Sequence, residues 1–425
     1  MSGALMAGAR VVGVLTFLTL LTTSVFAQNN CIDCHLTLED EELSLPARAR
    51  SDDIHAAAGI SCSDCHGGDP TIPIVDGDYD PAKEPSTGFV GAPGYADVPE
   101  FCGKCHADAS YMQRFNPNLS VDQLTQYWTS VHGQKLREGS RDVAQCASCH
   151  GSHGMLSPSD PRSRVYPTRV AETCAGCHAD GDHMAPYGIP VDQFDLYRKS
   201  VHGLALQGGD LSAPTCNTCH GNHGATPPGL SSVSLVCGNC HAIQREFFRS
   251  SPHFEAFADI GEPECETCHG NHDVQRAEDQ LLGVEVGQIC GDCHFEGEEP
   301  YDVAQVMRAD LEGLKSAIAA ARATVEQASV AGMEVSEAEL VLIDANQALV
   351  QARNAVHAVS VETLQGETES GETLAQTARE MGISALDELR HRRRGLAVSV
   401  FFILLVVAGL YFKIRQIEHG GRQGD

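Results

Sequence analysis

Eighteen cysteines occur in this chain, and every one lies in a Cys-x-x-Cys-His string. The strings join Cys31 with Cys34, Cys62 with Cys65, Cys102 with Cys105, Cys146 with Cys149, and Cys174 with Cys177. They continue with Cys216 and Cys219, Cys237 and Cys240, Cys265 and Cys268, and Cys290 and Cys293. The closing histidines are His35, His66, His106, His150, His178, His220, His241, His269 and His294. Two thiols separated by two residues can reach the two vinyl groups of one porphyrin and form thioethers, while the adjacent imidazole meets the iron from one face. The string is the attachment signature of c-type haem. Zinc sites and thiol redox sites also use Cys-x-x-Cys, but neither demands histidine in the fifth place every time. The expectation is nine covalently attached c-type haems.

A second set of histidines recurs in two contexts. His132 and His202 stand in Ser-Val-His-Gly, His253 in Ser-Pro-His, and His55 in the looser Asp-Ile-His. His153, His223 and His272 each stand three residues beyond a motif histidine, in CHGSH or CHGNH. Neutral imidazole suits iron, and histidine is a common axial ligand of haem, so these seven are read as distal ligands. Nine irons need more. The first module has Gly68-Asp69 where the others have the later histidine, and the motif at Cys290 has no second half. Those two irons read as under-supplied. His357, beside an apolar helical stripe, is the candidate for one of the last haems, although a lone helix histidine is more often not a ligand. His183 aligns with Tyr111 and falls outside the pattern. Met112 and Met184 align with each other and read as packing.

These contexts expose an internal repeat. Two-motif units lie near residues 31–68, 102–154, 174–224 and 237–273, followed by the single motif at 290–294. The haem part, about residues 28–296, has so little chain per macrocycle that the cofactors must form much of the apolar interior. Short helices, extensive irregular loops and little β structure are expected, with 68–100 a long Pro-, Gly- and Asp-rich excursion.

The paired strings, with Ser-Val-His-Gly between them and CHGxH closing each pair, resemble the doubled-CxxCH multihaem cytochromes c over about residues 31–294. The resemblance implies closely packed haems, mostly bis-histidine ligated, that relay electrons at low potential. Octahaem nitrite reductases and hydroxylamine oxidoreductases share such packing. No motif here carries lysine in the place of histidine, so the lysine-ligated catalytic haem of many such nitrite reductases has no counterpart.

Cysteine is absent after Cys293. Residues 297–391 read as a helical stalk or hairpin packed on the haem part. Met307, Leu311, Leu314, Ile318, Ala321, Val325 and Ala328 follow alternating four- and three-residue spacing, a narrow seam. Gly332 ends that helix, and Ser336-x-x-Glu339 reads as a capping box for a second one carrying Leu342, Ala345, Leu349, Ala352 and Val356. A third stretch from about Val361 is expected to kink at Gly382. Residues 395–412 form an uncharged run long enough to span a bilayer, flanked by Arg390 to Arg394 and by Lys413 and Arg415.

Residues 1–27 read as a secretory signal, with an uncleaved anchor as the alternative. Export makes 413–425 a cytoplasmic tail, against the positive-inside tendency of the arginine cluster. It places the haem part on the periplasmic side of a bacterial cytoplasmic membrane, held by a single pass.

Charge narrows the partners. With 29 Lys and Arg against 57 Asp and Glu the net charge is −28, which argues against nucleic acid. The leading reading is a membrane-anchored cytochrome relaying electrons to a periplasmic acceptor; resemblance to the membrane-tethered members of the multihaem family implies a quinol-linked membrane complex as the other partner. The rival is an oxidoreductase acting on a small inorganic nitrogen or sulfur compound at an open haem. The sequence leaves carrier and catalyst both standing and names no side chain as catalytic.

Overall fold

A computed structural model describes residues 29–73, 80–225 and 234–420. The expected signal at 1–27 and the end of the tail lie outside the described residues. Among the described residues every regular element is an α- or 3₁₀-helix, and no strand occurs. The chain divides into two compact units, one of residues 1–124 and 139–164, the other of residues 125–138 and 165–425. The first carries the motifs from Cys31 to Cys149, and the second those from Cys174 to Cys293.

The motif-bearing parts of both units are built from very short helices. Among them are α1 (Val131–Arg137), α2 (Cys146–His150), α3 (Val201–Gln207), α4 (Cys216–His220), α5 (Ala242–Ser250), α6 (Pro252–Ile260) and α7 (Glu264–His269). Helices this short do not persist alone in water. Local caps and cross-repeat bonds must hold them. Met112 and Met184 are buried, as packing residues should be.

The second unit also carries three long helices: α8 (Glu299–Val330), α9 (Ser336–Ala355) and α10 (Val361–Gly420). The seam from Met307 to Ala328 on α8 is buried along its whole length. It packs with Leu342, Ala345, Leu349 and Ala352 of α9 and with Leu364, Ala375 and Ala378 of α10. The stalk is therefore a three-helix bundle rather than a hairpin. Small residues of α10 make this possible: a Cβ at Gly371 would sit 2.7 Å from Leu314 and 3.0 Å from Ala348.

One local expectation fails. Val335, not Ser336, is the N-cap of α9, because the Glu334 carboxylate reaches Ser336 N–H at 3.0 Å and takes the capping role. Gly382 does not break α10. A Cβ there would stand only 3.2 Å from Thr324 and Val325, so this glycine admits α8 to close contact within an unbroken helix. α10 is long and apolar enough to cross a membrane, and the most apolar stretch is wholly unburied.

Candidate haem centres

The four histidines of the first distal context share one local geometry. Each is the second residue of a short helix whose N-cap is a Ser or Asp: Asp53 before His55, Ser130 before His132, Ser200 before His202, and Ser251 before His253. Ser130 Oγ accepts from Gly133 N–H at 2.9 Å, and Ser200 Oγ accepts from Gly203 N–H at 3.1 Å. Asp53 accepts from the N–H groups of His55 and Ala56 at 2.8 and 3.3 Å. Such caps satisfy the orphan donors of a helix start and fix its direction. The glycine of Ser-Val-His-Gly has a separate task. A Cβ on Gly133 or Gly203 would fall 2.1 Å from the carbonyl oxygen of Tyr127 or Tyr197.

The second context turns on the glycine after the motif histidine. Gly151, Gly221 and Gly270 have φ of 81°, 84° and 72° with ψ near the extended value, a region closed to L side chains. The turn carries the chain back so that a histidine follows three residues later.

One backbone bond ties the two contexts together, three times in the same register. Ile54 N–H donates to Met155 C=O at 2.7 Å, Val131 N–H to Ala225 C=O at 3.2 Å, and Val201 N–H to Val274 C=O at 2.8 Å. In each case the donor precedes a distal histidine of one repeat, and the acceptor lies two residues past the distal histidine of the next.

The imidazoles assemble in pairs. Ring centroids stand 5.9 Å apart for His55 and His106 and for His66 and His153. They stand 6.1 Å apart for His132 and His178, 6.3 Å for His202 and His241, and 6.1 Å for His220 and His272. His253 and His294 are separated by 6.0 Å, and His269 and His357 by 6.1 Å. Every pair joins one motif histidine to one histidine of the distal set. A metal–imidazole bond of about 2 Å, with the ring nitrogen about 1 Å off its centroid, puts two trans imidazoles about 6 Å apart. The pairs therefore fit an iron that brings four equatorial donors of its own. They do not fit a protein-built cage: among the described residues no three or more His, Cys, Asp or Glu gather around one metal position.

The pairing corrects the expected ligand shortfall. His66 of the first module is faced by His153 of the second, and His294 of the ninth motif by His253 of the fourth module. In these pairs the distal histidine faces a motif histidine of a neighbouring repeat, not of its own. His269, with no later repeat, meets His357 from the bundle. His35, with no earlier repeat, has no facing imidazole among the described residues; its Nδ1 lies 2.7 Å from Leu43 C=O. His150 belongs to the first unit and His223 to the second. His183 packs beside Tyr187.

Electrostatics favour the neutral, ligating form. Burial, followed by the facing imidazole, holds His132, His153, His202, His253 and His269 below the ordinary histidine range. Burial does the same for His357, whose Nδ1 stands 3.0 Å from Asn354 C=O. His66 Nδ1 likewise donates to Gly91 C=O at 2.9 Å. A bond at Nδ1 fixes the ring and leaves Nε2 for a metal.

The cysteines also follow an order. Within modules, Cys102 hydrogen-bonds Cys146, Cys174 hydrogen-bonds Cys216, and Cys237 hydrogen-bonds Cys265. Cys31 is raised by burial and then by Cys62. Between modules, Cys65 is raised by burial and then by Cys105, Cys219 by burial and then Cys237, and Cys268 by burial and then Cys290. Motifs adjacent in sequence are thus adjacent in space within each unit.

A clamp joins this region to the bundle. Asp279 receives Arg353 at 2.8 and 2.9 Å and Lys315 at 2.9 Å, while Arg308 donates to the carbonyls of Asp279 and Leu282. Sequence reasoning missed this carboxylate, which belongs to no repeat. It also missed the capping serines and close-packed glycines, although the recurrence of Ser-Val-His-Gly was their signal.

A family model described as cytochrome c554 and c-prime matches residues 19–67 and 236–317. These stretches take in the motifs at Cys31, Cys62, Cys237, Cys265 and Cys290. No curated protein and no solved structure matches the chain. The match supports a multihaem c-type cytochrome with covalently bound haem and a part in electron transfer.

Proposed function

We propose that this chain is a nonahaem cytochrome, anchored by its last helix to the cytoplasmic membrane of a bacterium, that relays electrons on the outer side. Its expected partners are a quinol-linked membrane complex and a periplasmic acceptor. The observation that carries the reading is the set of seven opposed imidazole pairs spaced 5.9–6.3 Å apart. Haem, when bound, supplies one-electron chemistry. The chain's own residues would attach it, offer neutral imidazoles to it, and set successive sites side by side within each unit. A site with two strong protein ligands has no position for substrate, which favours relay over catalysis. The test is stoichiometry and ligation. The purified protein should retain its colour after acid–acetone extraction, show the mass of nine haems, and give predominantly low-spin ferric signals. Mass for fewer than eight haems, or bound zinc, would overturn the reading.

One observation favours a second reading. His35 faces no imidazole among the described residues, and the pairing rule leaves its motif without an earlier repeat to draw on. We assign to the Cys31–Cys34–His35 site any small-ligand chemistry the protein has. The substrate class would be a small inorganic nitrogen or sulfur compound.

A further inference from the structure

The bundle has a direction and a length that bear on which partner the last haem sites can meet. His357 lies in the 3₁₀ turn Val356–Ala358, between the end of α9 and the start of α10. The turn is sharp: Val359 is the sole non-glycine residue with positive φ among the described residues, at 49°. From Val361, α10 runs without interruption to Gly420. At 1.5 Å per residue, the 34 steps from Val361 to Gly395, where the uncharged run begins, measure about 51 Å.

The first part of that distance is stiff. α8 and α9 pack along α10, with Leu314 against Gly371, Thr324 against Gly382, and Met381, Ala385 and Leu386 closing the core. The motif-bearing part grips the far end. Its ion pairs to the bundle run from Asp279 to Arg353 and Lys315, and Lys315 neighbours Leu314, which lies level with Gly371. From Gly371 to Gly395 a further 24 residues span about 36 Å.

We infer that the bundle is a stand-off that keeps the eighth and ninth haem sites tens of ångströms outside the bilayer, so that their redox partner is a basic, water-borne electron-transfer protein and not a quinol in the lipid. The inference rests on reading residues 395–412 as a membrane anchor and on haem at the pairs His269–His357 and His253–His294. Electron tunnelling falls exponentially with distance, and the length of such a rod closes the direct route between lipid and the eighth site. Charge gives the partner its sign. Between Glu255 and Glu299 the chain has 13 Asp and Glu and a single basic residue, Arg276. Glu262, Glu285, Asp292 and Glu296 of this stretch are exposed, as is Cys293 of the ninth motif. Such a field accelerates encounter with a basic protein and weakens as salt is added.

The test uses the full-length holoprotein in lipid nanodiscs. Retention in the discs is scored first. Protein that elutes without lipid overturns the anchor reading, and the stand-off with it. For retained protein, single-particle imaging should place the iron between His269 and His357 about 50 Å from the disc face. An iron lying at the headgroups, with the anchor inserted, overturns the stand-off and leaves the anchor standing. In stopped flow, electron exchange with a small basic cytochrome c should slow at least tenfold between low and physiological salt. Reversal of Glu262, Glu285, Asp292 and Glu296 to Lys should remove that dependence while the haem spectrum is kept. A rate indifferent to salt, or to the reversed charges, overturns the assigned partner.

Discussion

His269 and His357 face each other across 6.1 Å, and they come from opposite kinds of sequence. One closes a haem motif on α7, and the other sits in the turn between two long helices that carry no cysteine. The contact ties the bundle to the motif-bearing part, as the Asp279 clamp does.

Replacing His357 with Ala removes one imidazole without touching the bundle core. On the proposed reading, the expected outcome is a new high-spin ferric signal from a single iron, with the other signals and the helical circular dichroism unchanged. An unaltered low-spin spectrum would make His357 an ordinary turn residue.

Carbon monoxide should bind the reduced protein at the iron attached at Cys31 and Cys34. Replacing both cysteines with Ala should abolish the difference spectrum. Persistence of carbon monoxide binding in that variant would move the open site elsewhere.

Gly203→Ala should be costly for a residue that bears no functional group. Its Cβ would lie 2.1 Å from Tyr197 C=O, so the helix carrying His202 must shift. Overpacking of this kind costs about 1–3 kcal/mol. The measurement is a lowered melting temperature together with perturbed ligation at the seventh site. Gly366→Ala, whose Cβ would meet nothing within 4 Å, serves as the control.

Leu314→Ala should loosen the bundle. The side chain is fully buried in the α8 seam, and a truncation of this type costs about 2–5 kcal/mol. Thermal melts followed at helical wavelengths should fall, while the room-temperature haem spectrum stays as before.

The Asp279 clamp should fail in acid. The Arg353 guanidinium, with Lys315 beside it, holds the carboxyl below its ordinary range against the opposing effect of burial. A carboxylate depressed in the folded state adds stability above its unfolded value, about 3.9, and that stability disappears as pH falls through the folded value. Wild-type protein should lose bundle stability over that interval. Asp279→Asn should be less stable at neutral pH and lack this part of the acid loss.

How far the sequence could be read depended on repetition. The buried seam of α8 matches its spacing residue for residue, because a heptad-like pattern allows one face only. The distal histidines were visible because context repeated, yet their partners were not. Nothing in the spacing says that His153 turns toward His66 of the preceding module and not toward its own. That choice is made by the cross-repeat bonds of Ile54, Val131 and Val201, which involve backbone alone and leave no mark on residue identity. Asp279 was hidden for a related reason: its value depends on Arg353, 74 positions away.

The way each repeat lends imidazoles to its neighbours has a consequence for how such chains change length. A whole two-motif repeat can be duplicated or deleted from the interior, and each remaining histidine still finds a counterpart of the same kind. Half a repeat cannot, since its loss would orphan rings on both sides of the cut. The two ends of the array differ: His35 has no imidazole across from it among the described residues, while His269 takes its counterpart from the bundle. Growth by whole repeats would leave both termini untouched, so an array of this design can lengthen without inventing a new end.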